Sequence, residues 1–117
     1  MSLQLRETIV DSLNAVDLVV QREHAKVFTV EKPAWELLYA GRELDGNRWR
    51  NVWTLVVWGG PDIVPNSQKI LQMAVERVSE ALLPIECLLL GDFSASAEVP
   101  GLSQLKFTNA QCTLKEA

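Results

Sequence analysis

Residues 48–60 read RWRNVWTLVVWGG, and this stretch decides the fold that the sequence predicts. With the two-residue period of a β-strand, it places one apolar set on each face: Trp49, Trp53, Leu55 and Val57 on the first, and Val52, Val56 and Trp58 on the second. A strand that is apolar on both faces needs cover on both faces. The chain contains about two helical patterns, which can cover one side of a sheet. The other side is therefore predicted to meet another chain.

A hairpin is predicted immediately before this strand. Asp45-Gly46-Asn47 lies between two strand-like runs, and these three residue types tolerate a positive φ. We therefore expect residues 35–42 to pair antiparallel with residues 49–58, and residues 59–62 (GGPD) to break the second strand. A shorter strand is predicted at residues 27–30, before Pro33.

Two stretches show the three- and four-residue spacing of an amphipathic helix. The first has apolar residues at Leu5, Ile9, Leu13, Val16 and Val20. The second has apolar residues at Ile70, Leu71, Ala74, Val75, Val78 and Leu82. We expect Asn66 or Ser67 to cap the second helix and Pro84 to end it at Leu83.

The last third of the chain is predicted to complete the sheet. Residues 85–90 (IECLLL) are almost continuously apolar, as in an inner strand, and residues 91–101 are a loop of small and polar residues. A final strand is expected within residues 102–114. The prediction is one α/β (α+β) domain over residues 1–117, with a central, mostly antiparallel or mixed sheet packed by two main helices in the order α-β-β-β-α-β-β.

Charge and composition exclude some classes of protein. Fifteen acidic against eleven basic residues give a net charge of −4, and there is no basic run of five residues. Binding of DNA through a broad basic face is therefore disfavoured, although passive contact remains open. No stretch reaches the roughly 18 apolar residues of a membrane span, and the N-terminus is typical of a helix start, not of a signal peptide.

Few residues indicate chemistry. His24 stands beside charged neighbours, and the glycine pair at 59–60 lacks both phosphate-loop patterns. Three aspartates lie at turn positions, where this residue type is common: Asp45, Asp62 and Asp92. Cys87 and Cys112 show no CxxC spacing, so reduced thiols are favoured over a disulfide, and a zinc site is not expected. The sequence predicts no catalytic residue, no cofactor and no metal, and hence not an enzyme.

The tryptophans admit three interpretations. They could all fill the core of the monomer, as tryptophans often do. Alternatively, Trp49, Trp53 and Trp58 are candidates for an interface, because tryptophan is enriched where protein surfaces lose water. The least favoured interpretation is a platform on which nucleic-acid bases stack. Such platforms combine aromatic with basic residues, and only Arg48 and Arg50 lie near these tryptophans.

The order of these segments resembles the tail terminator proteins of long-tailed bacteriophages. The segments that carry the resemblance are KPAWELLYAG (32–41), VWTLVVWGGPD (52–62), NSQKILQMAVERVSEAL (66–82) and PIECLLLG (84–91), after an amphipathic first helix. The resemblance spans nearly the whole chain and rests on chain length, the order of the helices and strands, and the general character of the segments. It includes no catalytic residue.

The resemblance implies a role in assembly. Proteins of this family are small α/β subunits that form a ring, typically a hexamer, which caps the tail tube and stops its polymerisation. The expected partners are further copies of the chain, the major tail tube protein and the head–tail connector or head-completion protein. DNA would pass through the ring without specific binding, and no membrane is involved. The expected location is the virion tail or neck, after assembly in the host cytoplasm. The alternatives are a head-completion or tail-completion neck protein, or a small α/β enzyme or ligand-binding domain.

Overall fold

Two long paired strands organise the fold. The computed structural model describes residues 2–22, 33–61, 65–96 and 107–117. This part contains two helices and six strands: α1 (Ser2–Asn14), β1 (Val20–Gln21), β2 (Ala34–Asp45), β3 (Arg48–Pro61), α2 (Ser67–Leu82), β4 (Leu88–Leu90), β5 (Ser94–Ser96) and β6 (Phe107–Glu116). The predicted α+β class, with two helices on a mixed sheet, is confirmed. The strand predicted at residues 27–30 lies outside the described residues.

The strands form one sheet in the order β1-β2-β3-β6-β4, with β5 also paired to β6. The pairing of β1 with β2 is parallel and the other pairings are antiparallel. The strand predicted at residues 85–90 was expected to lie inside the sheet, and this position is wrong. The observed strand is the shorter β4, which lies at one end of the strand order. The C-terminal strand takes the inner place because it pairs with β3, where Trp53 lies opposite Leu114. Part of the predicted loop, Ser94–Ser96, forms β5.

The hairpin between β2 and β3 is confirmed. Its turn is Gly46-Asn47, and Gly46 has φ +62° while no non-glycine residue in the described ranges has a positive φ. A positive φ at the first central residue alone is the pattern of a type II′ turn, which suits the twist of a hairpin. A β-bulge between Tyr39 and Gly41 then shifts the pairing by one residue. The shift places Leu44 directly opposite Trp49 on one face of the hairpin.

The hydrophobic core lies between the two helices and one face of the sheet. Its members come from both helices and from β2, β3 and β6, and include Leu5, Ile9, Leu13, Trp35, Trp53, Leu55, Val57, Leu71, Val78, Leu82, Cys112 and Leu114. Both described helices therefore cover the same side of the sheet. α2 lies where it was predicted, with Leu83 as the residue that ends it before Pro84. Asn66 occupies the N-cap position, but its side chain makes no capping hydrogen bond.

The first helix ends earlier than its apolar spacing predicts. α1 stops at Asn14, and Val20 lies exposed in β1 while Val19 is buried instead. The amide of Val20 donates to the carbonyl of Pro33 at 2.9 Å, and the amide of Arg22 donates to the carbonyl of Trp35 at 2.8 Å. These bonds to the sheet replace the helical bonds that a longer α1 would have made.

The glycine pair at 59–60 does not break β3, which continues to Pro61. A Cβ atom on Gly59 would lie 2.4 Å from Thr108 Oγ1 and 2.9 Å from Leu71 Cβ. Side chains at this point would therefore collide with β6 and α2. The pair allows α2 to pack closely on the strand. The strand was predicted to break from residue 59 onward; it ends two residues later, at Pro61, and its pairing with β6 shifts between Trp58 and Pro61.

A candidate interaction surface on the hairpin

The long strand extends past the helices. At about 3.3 Å per residue, the 14 residues of β3 span about 46 Å, whereas the 16 residues of α2 at 1.5 Å each span about 24 Å. The molecule measures 47 × 27 × 24 Å, so its longest dimension is close to the length of β3. α2 can therefore cover only about half of the length of the hairpin. We call the outer part, residues 39–51, the arm.

One face of the arm exposes large apolar side chains beside two polar ones. It points the same way as the core face of the sheet and consists of Tyr39, Arg42, Leu44, Trp49 and Asn51. Trp49 is 53% exposed, and Tyr39 and Leu44 are each 59% exposed. Leu44 and Trp49 lie opposite each other, so their side chains form one continuous strip. We call this side of the arm the arm face.

The polar groups of the arm face hold its large side chains in place. The Arg42 guanidinium lies over the Trp49 ring, 5.2 Å from its centre. The Tyr39 hydroxyl donates a hydrogen bond of 2.8 Å to Asn51 Oδ1. At exposed sites a cation–π contact contributes about 0.5–1 kcal/mol. Because these rings are already oriented, a partner that covers them would lose less side-chain entropy on binding.

A groove continues the arm face toward α1. It has a volume of about 260 Å³ and is lined by Leu3, Arg6, Tyr39, Asn51 and Trp53. Pockets for drug-sized ligands usually measure about 300–1,000 Å³, so this groove is better matched to one or two side chains of a protein partner. Its charged lining residue is a cation, Arg6.

The opposite face of the arm has a different character. Arg50 forms ion pairs with Asp45 and with Glu43, the latter at 3.8 Å, and Lys115 Nζ lies 3.1 Å from Glu43 Oε2. The Arg48 guanidinium donates to the carbonyl of Ala117. Charges that pair with each other on a solvated surface contribute little stability but discourage non-specific strand pairing. The two faces of the arm are therefore clearly distinct.

The three candidate interface tryptophans lie in three different environments. Trp53 is 2% exposed and belongs to the core beneath the helices. Trp58 is 4% exposed on the other side of the sheet, where the Arg22 guanidinium lies 4.7 Å from its ring centre. Only Trp49 of the three offers a large exposed area. The interface role itself remains a prediction, but Trp53 and Trp58 bury nearly all of their surface within the chain.

Other residues considered for chemistry are not brought together. Asp45 pairs with Arg50 at the arm, and Asp92 is exposed after β4. His24 and Asp62 lie outside the described residues. Among the residues that the structure describes, no group of three or more His, Cys, Asp or Glu could hold a metal ion.

The two cysteines are free thiols in different environments. Cys87 is exposed and Cys112 is buried in the core, where desolvation raises the pKa of its thiol to about 12. Cys112 is therefore protonated at neutral pH and a poor nucleophile. Over the described ranges, no helix is both long and apolar enough to cross a membrane.

Comparison with protein-family models finds no family that matches this chain, and comparison with curated proteins finds no match. The arm face and its groove must therefore be interpreted from their own geometry.

Proposed function

We propose that this chain is a structural subunit of a phage tail that forms a ring, with the role of a tail terminator. In this role the ring caps the tail tube, ends its polymerisation and provides the surface that joins the head connector. The observation that carries the proposal is the exposed, pre-oriented arm face. The resemblance in element order to the tail terminator family supports the same role.

The size of the arm face favours a protein partner. At roughly 150–250 Å² for a whole aromatic side chain, the exposed halves of Tyr39 and Trp49 amount to roughly 200 Å². Leu44 and the neighbouring Leu3 of α1 are also exposed and add to this area. Contiguous apolar patches of about 300–600 Å² on a monomer are often functional. Tyrosine, tryptophan and arginine together are also the residues that most often dominate binding energy at interfaces.

A projecting arm is suited to contact between subunits. If the arm of each subunit contacts a different surface on the next, the same contact repeats and closes into a ring when the rotation divides a full turn. The net charge of −4 on each subunit would be multiplied around such a ring. A conduit with excess negative charge would let DNA pass without binding it.

Native mass spectrometry and tube-growth assays test the proposal. We expect the purified chain to form one closed oligomer, visible as a ring by negative-stain microscopy. Added to polymerising tail tube protein of the same phage, the ring should bind tube ends and stop elongation. A ring that leaves tube growth unchanged but binds the head connector would instead favour a head-completion protein. A monomer at tens of micromolar that binds a small ligand in the groove would favour the ligand-binding alternative.

A further inference from the structure

The charged groups of the arm face and its groove are cations. Arg42 lies over Trp49, and Arg6 lines the groove beside Tyr39. No ion pair joins Arg42 to another residue within the described part of the chain. A protein partner that covers this surface is expected to offer anionic side chains, because burying an arginine without a counter-charge is strongly unfavourable.

A surface with the complementary character exists on the same chain. Residues 78–92 include Glu80, Glu86 and Asp92 but no lysine, arginine or histidine. This segment covers the end of α2, the following loop and β4. Glu80, Leu83 and Glu86 are exposed, and Leu83 is 70% exposed. We call these three residues the acidic ridge.

Glu80, the member of the acidic ridge that lies within α2, is unfavourable for this helix. The C-terminal end of a helix has a partial negative charge and favours a basic side chain, yet the last turn of α2 has none and contains Glu80. A leucine next to it is exposed to water. Local sequence that opposes its own element is expected at functional or strained sites.

We infer that the arm face of one subunit docks on the acidic ridge of a second copy of this chain. Arg6 and Arg42 would face Glu80, Glu86 and the negative end of α2, while Leu83 would enter the groove beside Tyr39 and Trp53. The two surfaces are different, so the contact is heterologous and repeats from subunit to subunit. This inference rests on the proposed ring function and specifies the surfaces that build the ring.

Reversing the charge of each surface tests the contact. The arm variant carries Arg6→Glu and Arg42→Glu, and the ridge variant carries Glu80→Arg and Glu86→Arg. Like charges then face each other in each variant, and we expect association to weaken roughly 100-fold or more, leaving monomers in native mass spectra. Two control variants each reverse one charge outside both surfaces: Lys69→Glu on α2 and Asp17→Arg after α1. Both should keep the native ring mass.

Mixing the two variants provides the decisive observation. The arm variant has a negative arm and a negative ridge, and the ridge variant has a positive arm and a positive ridge. Every arm in the mixture then finds a complementary ridge on the other variant. We expect rings of equal numbers of both variants, and therefore an even total number of subunits.

Folding can be measured separately. Circular dichroism should show native secondary structure in both variants. Because association between subunits itself raises the melting temperature, the melts are compared at a dilution at which the wild type is also monomeric. Under this condition the ridge variant should melt at or above the temperature of the wild type, because Glu80→Arg places a cation at the end of α2. Loss of assembly in a fully folded ridge variant therefore supports a lost contact.

Several outcomes would overturn the inference. A ridge variant that keeps the native ring mass would show that the arm docks elsewhere. Two monomeric variants that fail to assemble when mixed would show that the two surfaces do not meet, and a monomeric wild type would exclude the contact altogether. Failure of the proposed function looks different: wild-type and mixed rings would form as expected, but neither would stop tube growth.

Discussion

Replacing Trp49 by alanine should separate assembly from folding. Trp49 and Trp53 lie on the same face of β3, four residues apart, but they differ in exposure: 53% for Trp49 and 2% for Trp53. Trp49→Ala therefore removes area that is available to a partner, and Trp53→Ala removes area that the core already uses. The two substitutions delete the same atoms and form a matched pair.

The exposures set the expected magnitudes. The exposed 53% of a tryptophan side chain of roughly 250 Å² is roughly 130 Å², and covering it contributes about 3 kcal/mol at ~25 cal/mol per Å². Losing this contribution weakens each contact between subunits roughly 100-fold. Within the subunit, Trp49→Ala loses a cross-strand contact with Leu44 and the Arg42 contact, together about 1–2 kcal/mol. Trp53→Ala should cost about 3–5 kcal/mol of folding stability.

Both quantities can be measured on one sample of each variant. Sedimentation velocity over a hundredfold dilution series reports association, and urea unfolding followed by circular dichroism reports stability at a fixed protein concentration. We expect Trp49→Ala to be folded but monomeric, and Trp53→Ala to unfold at much lower urea. If Trp49→Ala keeps the wild-type oligomer throughout the dilution series, or loses as much stability as Trp53→Ala, the assignment of the arm face is wrong.

Three further predictions concern other parts of the structure. Gly59→Ala should lower the free energy of unfolding by about 2–3 kcal/mol. Gly60→Ala should lower it by less, because its new Cβ would meet the Ser67 hydroxyl at 2.7 Å, whereas a Cβ on Gly59 would meet Thr108 Oγ1, Leu71 Cβ and the Ser67 carbonyl at 2.4–3.0 Å. Thermal melts will compare the two variants. At neutral pH, iodoacetamide should modify Cys87 and leave Cys112 intact until the chain unfolds, so mass spectrometry of the folded protein should show one adduct. Since the folded Cys112 thiol has its pKa raised from 9.0 to about 12, the unfolded state loses this proton first. Between about pH 9 and pH 12, stability should therefore fall by about 1.4 kcal/mol per pH unit, and this contribution should be absent in Cys112→Ala when urea midpoints are compared.

Elements specified by local chemistry were predictable from the sequence. The turn at Gly46-Asn47 follows from residues that accept its backbone geometry, and the pairing of β2 with β3 follows from the turn. α2 follows from a strong apolar period that Pro84 ends. These signals act over a few residues, so no knowledge of the rest of the chain is needed to interpret them.

Features that depend on distant residues were not predictable in the same way. The spacing of Val16 and Val20 continues a helical pattern, but bonds to the segment that begins at Pro33 end α1 at Asn14. A glycine pair suits a turn and a close approach equally well, since both uses exploit a missing Cβ. At Gly59 the position of Leu71 on α2 shows that the close approach is the reason for the glycine.

The candidate site was predictable in part. The two-residue period correctly grouped Trp49 with Trp53, but it could not assign one to the core and the other to solvent. Comparing the length of β3 with that of α2 would have indicated that the strand extends past its cover. The acidic ridge was missed, although the absence of any basic residue from 78 to 92 is visible in the sequence.

The uncovered half of β3 also has a consequence for how such a protein can change over time. Positions 44 and 49 share continuous strands with the core residues Leu37 and Leu55, yet their side chains are more than half exposed. Substitutions there alter the surface that a neighbour encounters while the pairing beneath the helices continues to specify the fold. In the proposed ring, a change at these positions would have to be matched on the acidic ridge of the next subunit, so the two surfaces should change together within a lineage while the rest of the molecule stays the same.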